Sequence, residues 1–210
     1  MKEYHKIQTL FERDPKTKKL IVGKYCNPTI EYLKDNVWTF TEKVDGTNVR
    51  VYWNGHEVRY GGRTDNAQIP APLVNRLNEL FGGEANAQLF EQKFGDKEVT
   101  LYGEGYGPKI QNGGLYRDDV DFILFDVIIC DNFQPRESVE DLAAYFGVDI
   151  VPIVLEGTLQ DGVNYVLSHR ESIVAKNGAL LEGIVGRTKV ETLDRTGNRN
   201  IVKIKFKDFA

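Results

Sequence analysis

The stretch FTEKVDGTNVRVYWNGHEVRY, residues 40–60, decides how the chain is read. Its second half, residues 48–60, alternates in character on both sides of Asn54-Gly55. That dipeptide tolerates the positive dihedrals of a two-residue hairpin turn, so a β-hairpin is expected here. Its first half places Lys43 at what reads as a strand end, with Asp45, Gly46, Thr47 and Asn48 following. Lysine can serve as a nucleophile, but only as the free amine, which requires neighbouring cations or desolvation.

Outward from the hairpin, residues 70–81 start on prolines and place Leu73, Leu77 and Leu80 at helical spacing, and 86–94 continues weakly in that style. Residues 98–107 and 121–129 read as strands, the second apolar enough to be buried on both faces, with a glycine-rich loop between them. SVEDLAAYFG predicts a short helix opened by Ser138 and Asp141 as a capping-box variant and closed by Gly147. A strand interrupted or bounded by Pro152 follows, then a helix over 158–169 and strands near 180–187 and 201–206. Without repeats or linkers, this order predicts one α+β domain over residues 1–210, with mostly antiparallel sheets and inserted helices.

At 210 residues and 41% hydrophobic content, the chain can bury a sizeable core. No run approaches the roughly 20 apolar residues of a membrane span, and the first residues lack the apolar core of a secretory signal. A soluble protein of cytoplasmic location, with no membrane partner, is expected. Cys26 and Cys130 match no metal-ligand spacing and read as reduced thiols, while His5, His56 and His169 are scattered, which argues against zinc. The net charge of −4 does not suit a protein that coats nucleic acid with its whole surface. Between Arg187 and Lys207, however, seven basic residues face two acidic ones. This run is either a landing place for phosphate or a solvated basic strand pair.

Taken alone, Lys43 reads as a surface lysine, the K-x-K of Lys203 and Lys205 as a solvated strand face, Phe125 as a core aromatic and Glu182 as a hairpin-edge glutamate. In order, however, EKVDGTN (42–48), GGRTD (61–65), LYGEG (101–105), FILFDVI (122–128), LEGIVGR (181–187) and IVKIKF (201–206) resemble the covalent nucleotidyltransferase superfamily of DNA ligases, RNA ligases and mRNA capping enzymes. The resemblance runs from about residue 38 to 206. G-T-N after the nucleophile motif is similar to the RNA ligase 2 and RNA-editing ligase branch. Asp45 departs from that branch, which often carries histidine there, and the chain ends five residues after Lys205, so no OB or other C-terminal domain is expected.

The resemblance implies an ATP-dependent RNA ligase acting on RNA ends or nicked duplex, with ATP and Mg²⁺ (or Mn²⁺) as cofactors and a protein partner as a possible substitute for the missing domain. Its alternatives are a minimal DNA ligase and a self-adenylating RNA-end-binding module. It implies Lys43 as the nucleophile that takes AMP, with Lys203 and Lys205 neutralising the α-phosphate. Phe125 would stack on adenine, Glu104 would accept from the ribose hydroxyls, and Arg63 would contact ribose or phosphates. Asn48 would bind the sugar or a phosphate oxygen, and Glu42 would touch the adenine through backbone or side chain. Glu182 would hold the metal directly or through water, with Asp45 and Asp126 orienting Lys43 or assisting in metal binding.

Overall fold

Pro152 interrupts its strand at a boundary of the architecture. The computed structural model, which describes residues 1–168, 170–176 and 178–209, divides the chain into two units. A central unit comprises Met1–His5 and Asp45–Val151, and a terminal unit comprises Lys6–Val44 and the chain from Pro152 onward. The names refer to sequence position.

The terminal unit opens with β1 (Gln8–Thr9), β2 (Phe11–Arg13), β3 (Leu20–Tyr25), α1 (Pro28–Tyr32) and β4 (Trp38–Glu42). Helix α1 has a single clear start signal: the Asn27 side chain accepts from the Ile30 amide (2.9 Å) ahead of Pro28. The central unit follows as β5 (Thr47–Trp53), β6 (Val58–Gly61), α2 (Ala71–Phe81), α3 (Gly83–Phe94), β7 (Val99–Tyr106), β8 (Asp121–Ile129), β9 (Asn132–Phe133), α4 (Arg136–Phe146) and β10 (Asp149–Ile150). The chain then rejoins the terminal unit through β11 (Ile153–Gly157), α5 (Leu159–Leu167), β12 (Gly183–Thr188) and β13 (Ile201–Lys205).

The terminal sheet has the order β1-β13-β12-β4-β11, with β2 and β3 paired apart from it. The central sheet runs β10-β8-β7-β5-β6, with β9 on β8. Among the described residues only the two-residue pairings β1–β13 and β10–β8 are parallel, so the architecture is α+β with mostly antiparallel sheets. In the central unit, Val49, Val51 and Trp53 alternate along β5 and meet Leu73, Leu77 and Phe81, one turn apart along α2. In the terminal unit, Trp38, Phe40, Ile184, Val202 and Ile204 pack with Leu159 and Val163 of α5. No helix among the described residues is long and apolar enough to cross a membrane.

Four local expectations shift. The hairpin turn centres on Gly55-His56, because the Asn54 amide closes the ladder on Glu57 O (3.3 Å) while its side chain accepts from the amides of His56 and Glu57. Helix α4 starts on Pro135 without a side-chain cap, so Ser138 lies inside the first turn; Gly147 does close it in the left-handed region. The capping box belongs instead to α5, where Thr158 and Asp161 bond reciprocally; residue 169, at the end of the expected helix, lies outside the described residues. The strand expected at 180–187 begins at Gly183.

Candidate active site

Three of the motifs meet on the terminal sheet. Strand β12 lies between β4 and β13, pairing Val185 with both Thr41 and Lys203, and Gly183 with Lys205. One step past β4, the Lys43 amide donates to Gly183 O (2.9 Å). Lys43, Gly183 and Lys205 therefore stand on one line across three strands. Alternation sends Phe40, Ile184, Val202 and Ile204 into the core and leaves Lys43, Lys203 and Lys205 on the opposite face. Glycine is required at 183, since a Cβ there would lie 2.2 Å from Ile204 O.

Glu182, immediately ahead of β12, accepts from Lys43 Nζ on Oε2 (2.7 Å) and from Lys205 Nζ on Oε1 (2.9 Å). Burial depresses the Lys205 pKa, but the hydrogen bond and charge of Glu182, joined by smaller contributions from Asp208 and Lys207, hold the ammonium above its ordinary value. Lys203 stands two residues back on the same strand face, its carbonyl accepting from the Leu10 amide (3.1 Å). Glu42 points the other way, into the core side. Its buried carboxylate accepts from Ser172 Oγ and from the Ile173 amide (2.8 Å). Its side chain thus anchors the loop that leads to Glu182.

The remaining candidates belong to the central unit. Asn48 and Glu104 are direct cross-strand neighbours on β5 and β7, on the face opposite Val49, Val51 and Leu101. Asn48 Oδ1 is buried and has no hydrogen-bond partner among the described residues. An unsatisfied buried acceptor is costly, and a bound hydroxyl would satisfy it. Gly46 passes so close to β7 that a Cβ would lie 2.3 Å from Gly105 O and 2.9 Å from Glu104 Cγ. This contact is the local reason for glycine in the K-x-D-G motif. Phe125 is the extra residue of a bulge, because Tyr102 pairs with Asp126 and Gly103 with Leu124. The bulge leaves Phe125 half-buried, its ring edge-on to Tyr4 (5.1 Å).

Asp126 is fully buried, accepting from Tyr4 Oη on Oδ2 (2.8 Å) and from the Val127 amide on Oδ1 (3.1 Å). Arg63 is exposed in the loop after β6. That loop is tied down from within by Arg50, fully buried, which donates to Gly62 O (2.7 Å) and Asp65 Oδ1 (2.9 Å). Asp45 is half-buried; its Oδ2 accepts from Asn112 Nδ2 (2.7 Å).

Among the described residues, no group of three or more Asp, Glu, His or Cys could cage a metal ion. A Mg²⁺ bound through one carboxylate, water and substrate phosphates does fit the donor set. Sequence reasoning missed Arg50, Tyr4, Ser172 and Asn112. Only Arg50 carried a signal, a lone cation inside the alternating run of β5.

The RNA ligase family model matches residues 36–205. No curated protein matches the chain in sequence. Among solved structures, the RNA ligase of Naegleria gruberi is similar in several forms. A variant with ATP and Mn aligns at TM-score 0.63 with 20% identity, covering 87% of this chain and 52% of that one. The form with PPi gives TM-score 0.62 with 22% identity, over 87% and 53%. A variant with AMP and Mn gives 0.63 with 20% identity, over 87% and 53%. The chain thus spans about half the length of these structures and shares their fold. With the match over 36–205 and the motifs in register on the sheets that bear them, the chain belongs to the RNA ligase family.

Proposed function

We propose that this chain performs the adenylation chemistry of an ATP-dependent RNA ligase, joining 3′-hydroxyl and 5′-phosphate ends, and that its two units act as one nucleotidyltransferase domain. The observation that carries the reading is the pair of ammonium groups, Lys43 and Lys205, on the two oxygens of a single carboxylate, Glu182. Such a constellation fixes a nucleophile beside a second cation, as attack on a phosphate requires. In the first step the Lys43 amine, having released its proton, attacks the α-phosphorus of ATP. The P–N bond forms, the bond to the bridging oxygen breaks, and pyrophosphate departs with the electron pair. Lys205 and Lys203 neutralise charge on the α-phosphate. AMP then passes to a 5′-phosphate, and a 3′-hydroxyl attacks that phosphate to release AMP.

Phe125 offers a flat face for adenine, and the Asn48–Glu104 pair offers hydrogen-bonding groups for the ribose; Arg63 is free to reach phosphates or ribose. A divalent cation, Mg²⁺ or Mn²⁺, would be held by Glu182 or Asp45 and would supply charge neutralisation at the phosphates. Asp126, with both oxygens bonded, suits orientation better than ligation. The ATP and Mn of the Naegleria structures support this nucleotide and a divalent ion. RNA ends are the proposed partners. A cytoplasmic location is supported by two unpaired cysteines, the thiol of half-buried Cys26 being pushed up by burial to about 11.

Incubation with α-labelled ATP and Mg²⁺ tests the reading. One AMP should attach through an acid-labile bond, and Lys43→Ala and Lys43→Arg should both lose it, since a guanidinium stays protonated. Joining assays on nicked RNA, nicked DNA and pre-adenylated strands then separate an RNA ligase from a DNA ligase and from a module that adenylates without joining. Full labelling of Lys43→Ala would refute the mechanism.

A further inference from the structure

The loop between β7 and β8, Gly107 to Val120, contains none of the six sequence motifs, yet it is built to a fixed shape. Gly107 adopts φ +131, and a Cβ on it would lie 2.3 Å from Asp119 O. Gly113 folds back against Gly107, where a Cβ would lie 2.4 Å from its nitrogen. Ile110 bonds to Gly107 O (3.1 Å), Gly113 to Ile110 O (2.8 Å) and Tyr116 to Gly113 O (3.0 Å). Ile110 and Tyr116 are buried, at 5% and 2% exposure. At the loop's far end, buried Arg117 donates to Tyr106 Oη (3.1 Å), Asp121 Oδ2 (2.5 Å) and Asp119 Oδ2 (3.0 Å). The loop cannot slide without breaking these contacts.

From this fixed platform two side chains reach Asp45. Asn112 Nδ2 donates to Asp45 Oδ2 (2.7 Å), and Tyr116 Oη accepts from the Asp45 amide at the longer distance of 3.4 Å. One contact orients the carboxylate and the other steadies its backbone. We propose that Asn112 is a positioning residue for Asp45: the loop holds the motif's aspartate in the one orientation used during adenylation. A carboxylate can rotate through several rotamers, and a neutral donor fixes one without cancelling its charge, which an arginine or lysine there would do. The Asn112 bond is made to Oδ2 alone, so it sets the direction of the carboxylate through one oxygen. This rests on the adenylation reading.

A double-mutant cycle on lysyl-AMP formation tests it. Asn112→Ala should lower the rate constant about tenfold with the KM for ATP changed less than about twofold and with an unchanged melting temperature. Asn112→Asp, which sets a like charge against Asp45, should cost more, and Asn112→Ser, which keeps a donor, should cost less. In the Asp45→Ala background, Asn112→Ala should change nothing further, because the group it positions is gone. An equal loss in both backgrounds, or a loss confined to KM, would overturn the role while leaving the ligase reading intact. Absence of lysyl-AMP from the wild type would instead overturn the ligase reading, and the role with it.

Discussion

Replacing Glu182 by glutamine keeps the side chain's shape and removes its charge. The carboxylate receives two charge-assisted bonds, at 2.7 Å from Lys43 and 2.9 Å from Lys205, and the three side chains are 12%, 24% and 17% exposed for Glu182, Lys43 and Lys205. Such bonds contribute about 1.5–3 kcal/mol each. The amide retains one acceptor, so one lysine keeps a weaker bond while the other faces an N–H donor. Both ammonium groups touch the same carboxylate, so they are at most ~8 Å apart and repel by ~2 kcal/mol at an effective dielectric of ~20. Partial exposure lets the lysines swing toward water, which recovers some of this. The net loss of stability should be about 2 kcal/mol, a fall of about 4–8 °C in melting temperature for a chain of this size. Adenylation should suffer more, by about 10²–10³-fold, because in the proposed reaction an unaimed nucleophile and a displaced phosphate-binding cation both act at the transition state. Thermal melts and the intact-mass gain of one AMP measure the two effects. A Glu182→Gln variant that melts within about 1 °C of wild type and adenylates at its rate would refute the reasoning.

Gly46→Ala should abolish adenylation and destabilise the central sheet, because its Cβ meets the backbone oxygen of Gly105 at 2.3 Å; a variant that stays soluble and active would contradict that contact. The Lys205 pKa is raised in the folded state, so its stabilising contribution should be complete below the unfolded value near 10.5 and be lost as pH rises through the folded one. Melting temperatures of wild type and Lys205→Met should therefore converge only at strongly alkaline pH. Within the basic run, Arg195 is exposed, whereas the Arg199 side chain is 4% exposed, 3.9 Å from Glu191. Arg195→Glu should spare lysyl-AMP formation and, if RNA phosphates bind there, lower the salt slope of RNA binding by about 0.7–0.9. Arg199→Glu should instead lower the melting temperature, since it buries a charge facing a like charge.

Legibility followed the scale of the cause. Strands β5, β7, β8 and β13 and helix α2 were readable because alternation or helical spacing extends over several residues and one face must be buried. The turn at Gly55-His56 and the start of α4 were misplaced because each is settled by one local bond, and several neighbouring residues could have supplied it. Lys43, Glu182 and Lys205 were singled out through motif order, which says nothing of how they touch; strand register brings them together. The side chain of Glu42 could not be assigned from sequence, because its direction depends on β4 parity relative to a loop 130 residues away.

The K-x-D-G stretch itself explains why its support had to be invisible in sequence. Between Val44 and Asp45 the chain leaves one unit and enters the other. Lys43 is held from the terminal side, by Gly183 through its amide and by Glu182 through its amine. Asp45 is held from the central side, by Asn112 and Tyr116. Two residues that sequence treats as one motif are therefore fixed by separate hydrogen-bond sets. A lesion in either set need not disturb the other, so their effects on stability should add, as independent sites do. Their effects on adenylation should not add, because one reaction requires both groups in place. Combining Glu182→Gln with Asn112→Ala measures this directly. The melting-temperature loss should be that of Glu182→Gln alone, because Asn112→Ala leaves it unchanged, whereas the combined loss of rate should fall short of the product of the single losses. Rate losses that multiplied fully would mean that the two residues act independently on the reaction, and the motif would then be a unit of sequence only.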